Sequence, residues 1–118
     1  MYTITKEYHF SASHVLKHLP ADHPCARLHG HNYIVKVELQ SDTLNANGFV
    51  VDYRDLDALK HYINDSIDHR HLNDVLGDNY VTAELIAQHF YEWCKKRWAQ
   101  VSAVMVSETP RTWAEYRL

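Results

Sequence analysis

Between Tyr33 and Gln40 the apolar residues Tyr33, Val35, Val37 and Leu39 recur at every second position. A period of two belongs to a β-strand with one face turned to a core. The run is entered through Cys25-Ala-Arg-Leu-His-Gly-His-Asn-Tyr33. If the strand begins near His29, the same period puts His29 and His31 on one face, close enough for both imidazoles to grip one ion.

The rest of the chain supplies partners for that strand. Tyr2 to Phe10 reads as a strand with Ile4, Tyr8 and Phe10 on one face. Ser11 to Leu28, with Pro20 and Pro24, reads as a long loop of the kind that carries function. Asn45 to Gly48 is a turn, followed by a short extended piece, Phe49 to Val51. Asp52 is a helix N-cap, and Leu56, Leu59, Ile63 and Ile67 form the apolar stripe of a helix from Arg54 to about Ile67. Asp68 to Tyr80 lacks periodicity and reads as a loop. Thr82 caps a second helix through about Trp98, with Ile86, Phe90, Trp93 and the stem of Arg97 on its buried face. Val101 to Ser107 is a strand with apolar residues on both faces, and Thr112 to Arg117 is the last strand. The order ββααββ predicts an α+β fold: a four-stranded antiparallel sheet with two helices on one face.

At 118 residues, with 46% hydrophobic residues and only three glycines and three prolines, the expectation is one folded domain over residues 1–118. A net charge of −3 argues against a nucleic-acid surface or a polybasic membrane surface. The first residues carry no signal pattern and no run reaches membrane-spanning length, so the expected location is the cytoplasm. Cys25 and Cys94 are expected to stay separate thiols there.

Ten histidines are the compositional oddity. A catalytic zinc site takes three protein ligands and leaves one position open. His29 and His31 supply two; His14, just past the first strand, is the best third, with His9 and His18 as competitors and an ordinary loop histidine as the alternative. Cys25 reads three ways: a fourth ligand that closes the site, a thiolate base beside the metal, or an inert thiol. Asp68 and His69 can form a relay in which a carboxylate holds an imidazole, although a histidine at a helix C-terminus also simply stabilises the helix. Glu108, at the end of an apolar strand, is either solvent-exposed, the expectation from sequence, or aimed into a pocket. There its carboxylate would accept two parallel N–H bonds from a guanidine-like edge.

Phe-Ser-Ala-Ser-His14, Cys25-Ala-Arg-Leu-His29-Gly-His31-Asn-Tyr, Asp68-His69-Arg-His-Leu-Asn73, Thr82-Ala-Glu84 and Ser-Glu108-Thr109 together resemble the 6-pyruvoyltetrahydropterin synthase and 6-carboxytetrahydropterin synthase family. Val81 and Ile67 depart from residues common there, proline and leucine respectively. The resemblance implies Zn2+ on His14, His29 and His31, Cys25 as proton acceptor with Asp68 and His69 as its relay, and Glu108 as anchor of the pterin ring and a further catalytic member of that relay. It also places Thr82, Arg27 and His71 on the substrate, and offers Arg27, Lys17, Arg70 and Arg111 to a triphosphate. The implied fold is the tunnelling fold, whose sheets join into an oligomeric barrel built on trimers, up to a hexamer, with sites at subunit interfaces. The short chain looks more like the carboxy branch, which converts 7,8-dihydroneopterin triphosphate to 6-carboxy-5,6,7,8-tetrahydropterin with release of acetaldehyde and triphosphate, in 7-deazaguanine and queuosine synthesis. The alternatives are the pyruvoyl-forming synthase and a non-catalytic, zinc-stapled assembly module.

Overall fold

In the computed structural model, which covers residues 1–118, the strand that carries the Tyr33-to-Leu39 alternation finds its partner along its whole length. Tyr2–His14 (β1) and His29–Ser41 (β2) pair antiparallel from Tyr2 opposite Ser41 to His14 opposite His29. The first strand therefore runs four residues past Phe10, and the expected loop begins only after His14. The extra residues are held from the far side. Arg70–His71 (β3) pairs in parallel with Ala12 and Ser13, the Ser11 N–H donates to the Asp68 carboxylate at 2.8 Å, and the His69 N–H donates to the Ser11 carbonyl at 2.6 Å.

Val101–Thr109 (β4) adds antiparallel to β2, and Thr112–Arg117 (β5) to β4, giving the order β3-β1-β2-β4-β5. The sheet has five strands rather than four, and β3 makes it mixed rather than wholly antiparallel. The expected loop from Asp68 to Tyr80 also holds a short helix, Leu72–Leu76 (α2), and a 3-10 turn, Asp78–Tyr80. Phe49 to Val51 pairs with no strand.

Asp52 caps as expected, accepting from the Arg54 N–H at 2.9 Å. What it starts is a 3-10 turn, Tyr53–Leu56, and the α-helix proper is Asp57–Ser66 (α1). Thr82 caps Ala83–Lys95 (α3) through the Leu85 N–H. This helix ends three residues short of Trp98. There the Lys95 ammonium reaches back to the Ala99 and Val101 carbonyls, at 2.6 and 3.0 Å, and turns the chain into β4. Its buried face is Ile86, Ala87, Phe90, Tyr91 and Cys94. Trp93 sits half-buried on the flank, stacked on Tyr62 and covered by the Arg97 guanidinium.

The core lies between the helices and one sheet face, where Phe10 stacks on Tyr33 at 4.9 Å and meets Phe90. Burying each such side chain contributes roughly 1.5–3 kcal/mol. On the opposite face β4 is apolar as expected, with fully buried Ala103 and half-buried Met105, but its neighbours add a Glu7–Lys36 pair at 3.4 Å and an Arg117 fork on the Glu38 carboxylate.

Candidate metal and substrate site

The core face of the sheet ends in histidines. His14 closes β1 and His29 opens β2 as direct cross-strand partners, and His31 follows one pleat later on the same face. One nitrogen from each ring lies within 4.8 Å of the other two. A tetrahedral zinc with Zn–N bonds near 2.05 Å would hold its nitrogens about 3.3 Å apart. His9 and His18, the competitors for third place, are exposed and outside the group.

Hydrogen bonds orient two of the rings. His14 Nδ1 lies 2.6 Å from the Val81 carbonyl, and His29 Nδ1 lies 2.7 Å from the Arg27 carbonyl. Carbonyls only accept, so each Nδ1 carries the proton and each Nε2 presents a lone pair. Those two Nε2 atoms are 2.9 Å apart. Two lone pairs at that distance repel unless a cation lies between them. A proton does not serve at neutral pH, because burial pushes the His14 imidazole down to about 4. Burial, then the neighbouring His29, also lowers His31. His31 Nε2 is buried with no hydrogen-bond partner; Glu108 Oε2 is the nearest opposite charge at 3.5 Å, too long for a strong bond. Three nitrogens converging from three imidazoles, two of them with Nδ1 committed to a carbonyl, suit a metal ion.

Glu108 reaches this site because β4 is irregular there. Val106 lies opposite Ala114 and Thr109 opposite Thr112, so Ser107 and Glu108 together face the single residue Trp113. Such a bulge bends a strand and re-aims its side chains. The Glu108 side chain is only 24% exposed, which corrects the expectation of a solvent-facing carboxylate. Burial, then the charge of Glu84, raises its pKa. Glu108, Glu84 and Thr82 line a cavity of about 250 Å3 together with Leu16, Thr112 and Trp113.

Cys25 sits in a 3-10 turn, Pro24–Ala26, and is half-buried. The His23 ring accepts its N–H at 3.0 Å, and its carbonyl accepts the Leu16 N–H at 3.0 Å, which folds the loop back toward the end of β1. The thiol is not one of the grouped ligands. Asp68 and His69 are paired at 2.9 Å, but they are knitted to Ser11, and no hydrogen bond or ion pair joins them to Cys25 within the chain. His71 bonds the Ser13 hydroxyl at 2.9 Å, on the sheet face opposite His14. The Arg27 side chain is exposed, and it is the Arg27 carbonyl that engages the site.

Two contributors escaped the sequence reading. The Val81 carbonyl sets the His14 tautomer, and a backbone atom leaves no mark on residue identity. Asn73 is buried and holds both polar groups of Val15, accepting the Val15 N–H at 2.9 Å and donating to the Val15 carbonyl at 2.8 Å. Its other N–H goes to Asp78. It thereby fixes the residue after His14, and its place in the Asp68-to-Asn73 motif was the available signal.

Comparison with known proteins agrees with this geometry. A family profile described as 6-pyruvoyl tetrahydropterin synthase matches residues 3–118. A 6-carboxy-5,6,7,8-tetrahydropterin synthase of Synechocystis is 39% identical over 92 residues, covering 74% of this chain and 70% of the relative. The protein of that name from Bacillus subtilis is 30% identical over 128 residues, covering 98% and 85%. The structure of Caenorhabditis elegans 6-pyruvoyl tetrahydropterin synthase superposes with a TM-score of 0.87 at 26% identity, covering 99% of this chain and 95% of that one. With the tunnelling-fold sheet, the histidine cluster and a family match over nearly every residue, the chain belongs to the 6-pyruvoyl tetrahydropterin synthase family of enzymes.

Proposed function

We propose that the protein is a zinc-dependent lyase that converts 7,8-dihydroneopterin triphosphate and one water into 6-carboxy-5,6,7,8-tetrahydropterin, acetaldehyde and triphosphate. The observation that carries this reading is the junction at His31, whose buried, unpartnered Nε2 belongs to the histidine cluster and lies 3.5 Å from Glu108 in the adjoining cavity. A metal centre and a carboxylate pocket thus abut. Glu108, with Glu84 and Thr82 beside it, would hold the amino-pyrimidine edge of the ring through paired N–H bonds.

His14, His29 and His31 would hold the zinc, which when bound acts as a Lewis acid toward the oxygens of the substrate side chain. Cys25 removes a carbon-bound proton as thiolate, and His69, steadied by Asp68, relays it. Because Cys25 and His69 do not meet within the chain, the relay is completed between copies, in a homo-oligomer built on trimers, up to a hexamer. The names of the Synechocystis and Bacillus subtilis relatives favour the carboxy product, and with it a cytoplasmic place in 7-deazaguanine and queuosine synthesis. The likeness to the Caenorhabditis elegans structure favours a second reading, the pyruvoyl-forming synthase. Mass analysis of the pterin product separates the two: a carboxylated pterin supports the first, and a pyruvoyl pterin contradicts it.

A further inference from the structure

Tyr33 is the next residue after His29 and His31 on the core face of β2, and it is wholly buried. Its ring lies against Phe10 at 4.9 Å with the two planes 12° apart. The His14 and His31 rings stand nearly perpendicular to it, with centroids 6.0 and 5.4 Å away. Phenylalanine would complete this aromatic layer under the histidines equally well. What tyrosine adds is a hydroxyl, and a buried hydroxyl is unfavourable unless its hydrogen bonds are made.

The hydroxyl's single hydrogen-bond partner is His14 Nδ1, at 3.3 Å. That nitrogen already directs its proton to the Val81 carbonyl at 2.6 Å. Were Nδ1 bare, its lone pair would face the carbonyl's own, so the phenol is not the donor. It accepts, as the longer branch of a shared N–H. The phenol's own proton, retained at neutral pH, then has no acceptor in the chain. Tyr8 is the contrast: it too is buried, but its O–H donates to the Leu56 carbonyl at 2.9 Å and ties β1 to the 3-10 turn before α1. The Tyr33 hydroxyl therefore does little for the fold, and its one contact is with the histidine cluster.

Two acceptors on one N–H constrain a ring more than one does. The Val81 carbonyl belongs to the segment before α3, so by itself it lets the imidazole follow that segment. The Tyr33 hydroxyl belongs to β2, the strand that carries His29 and His31. It ties the His14 ring to the same frame as the other two ligands. We infer that Tyr33 is a positioning residue for the metal centre, whose hydroxyl holds the His14 imidazole in register with His29 and His31 at some expense of fold stability; the inference rests on the three-histidine zinc reading above. Residues that orient metal-binding histidines in this way typically carry a tenth to a hundredth of the affinity when lost, roughly 10–100-fold.

The test compares Tyr33→Phe with Tyr8→Phe in the full chain, by competitive zinc titration and by thermal melting of the zinc-free protein. Tyr33→Phe keeps the ring stack. It should melt at or above wild type without zinc, and bind zinc about tenfold more weakly. Tyr8→Phe should melt below wild type and bind zinc within about twofold of it. Zinc affinity in Tyr33→Phe equal to wild type, or melting lowered as in Tyr8→Phe, would overturn the assignment and leave the zinc centre intact. Equal losses of zinc affinity in the two variants would also overturn it, since any loosening of the core would then suffice. A wild type that takes up no zinc would overturn the zinc reading and this inference together. Weaker zinc binding in Tyr33→Phe alone, in a protein that turns over no pterin, would overturn the pterin chemistry and keep the positioning role.

Discussion

His14 Nε2 and His29 Nε2 face each other at 2.9 Å, each ring bonded through Nδ1 to a backbone carbonyl. Neither ring can turn away without breaking its carbonyl bond, so the pair is preset for a cation, and His31 supplies the third nitrogen. Replacing His31 with alanine should cut bound zinc from about one per chain to less than about a tenth, because two imidazoles seldom retain the metal. Metal content after dialysis against dilute chelator measures this. Full retention of zinc would remove His31 from the site.

Cys25 lies beside the histidines in sequence but outside their cluster, which separates a base from a structural ligand. Cys25→Ala should lower turnover by about a hundredfold or more, the scale of a lost general base, and leave zinc content and melting temperature near wild type. Loss of zinc in that variant would instead make Cys25 a fourth ligand and the protein a stapled assembly module.

Asn73 acts one residue away from a ligand. Asn73→Ala leaves the Val15 N–H and carbonyl without partners in a half-buried setting. We expect a loss of about 2–3 kcal/mol in unfolding free energy, and zinc affinity weaker by about tenfold or more, as for other residues that orient metal ligands. Denaturant titration and competitive zinc titration read the two effects separately. A stability loss with unchanged zinc affinity would make Asn73 a structural residue only.

On the far sheet face, the Arg117 guanidinium and then the Ser102 hydroxyl hold the Glu38 carboxyl below the usual carboxylate range, against the opposing effect of burial. A folded pKa below the unfolded value, about 4.3 for Glu, gives stability that is complete above that value and is lost as pH falls through the folded pKa. Glu38→Gln should therefore melt below wild type at neutral pH, and the gap should close below about pH 4. A gap that persists in full at about pH 3 would show that the carboxylate charge is not what stabilises the pair.

The alternation from Tyr33 to Leu39 was enough to place β2 and to align His29 with His31, because strand period alone decides which side chains share a face. Thr82 and Asp52 were legible as caps because a side-chain oxygen at a helix start has few other uses. The extension of β1 to His14 was not legible. Ser-Ala-Ser-His has no apolar alternation, and what keeps it extended is pairing with the His29–Asn32 end of β2 on one side and with β3 and Asp68, about sixty residues on in sequence, on the other. The depth of Glu108 was hidden for a similar reason: it follows from a bulge against Trp113, a pairing irregularity that no local pattern announces. The charged far face was hidden because the side chains that make it, Lys36 and Glu38 on β2 and Arg117 on β5, meet only through non-local strand pairing on either side of the apolar β4.

The most direct test of the central claim is acetaldehyde release from 7,8-dihydroneopterin triphosphate, followed in zinc-loaded and chelator-stripped protein. The account predicts about one acetaldehyde per substrate consumed, loss of that release on stripping, and its return with zinc. A pyruvoyl product without acetaldehyde, or release that survives removal of the metal, would contradict it.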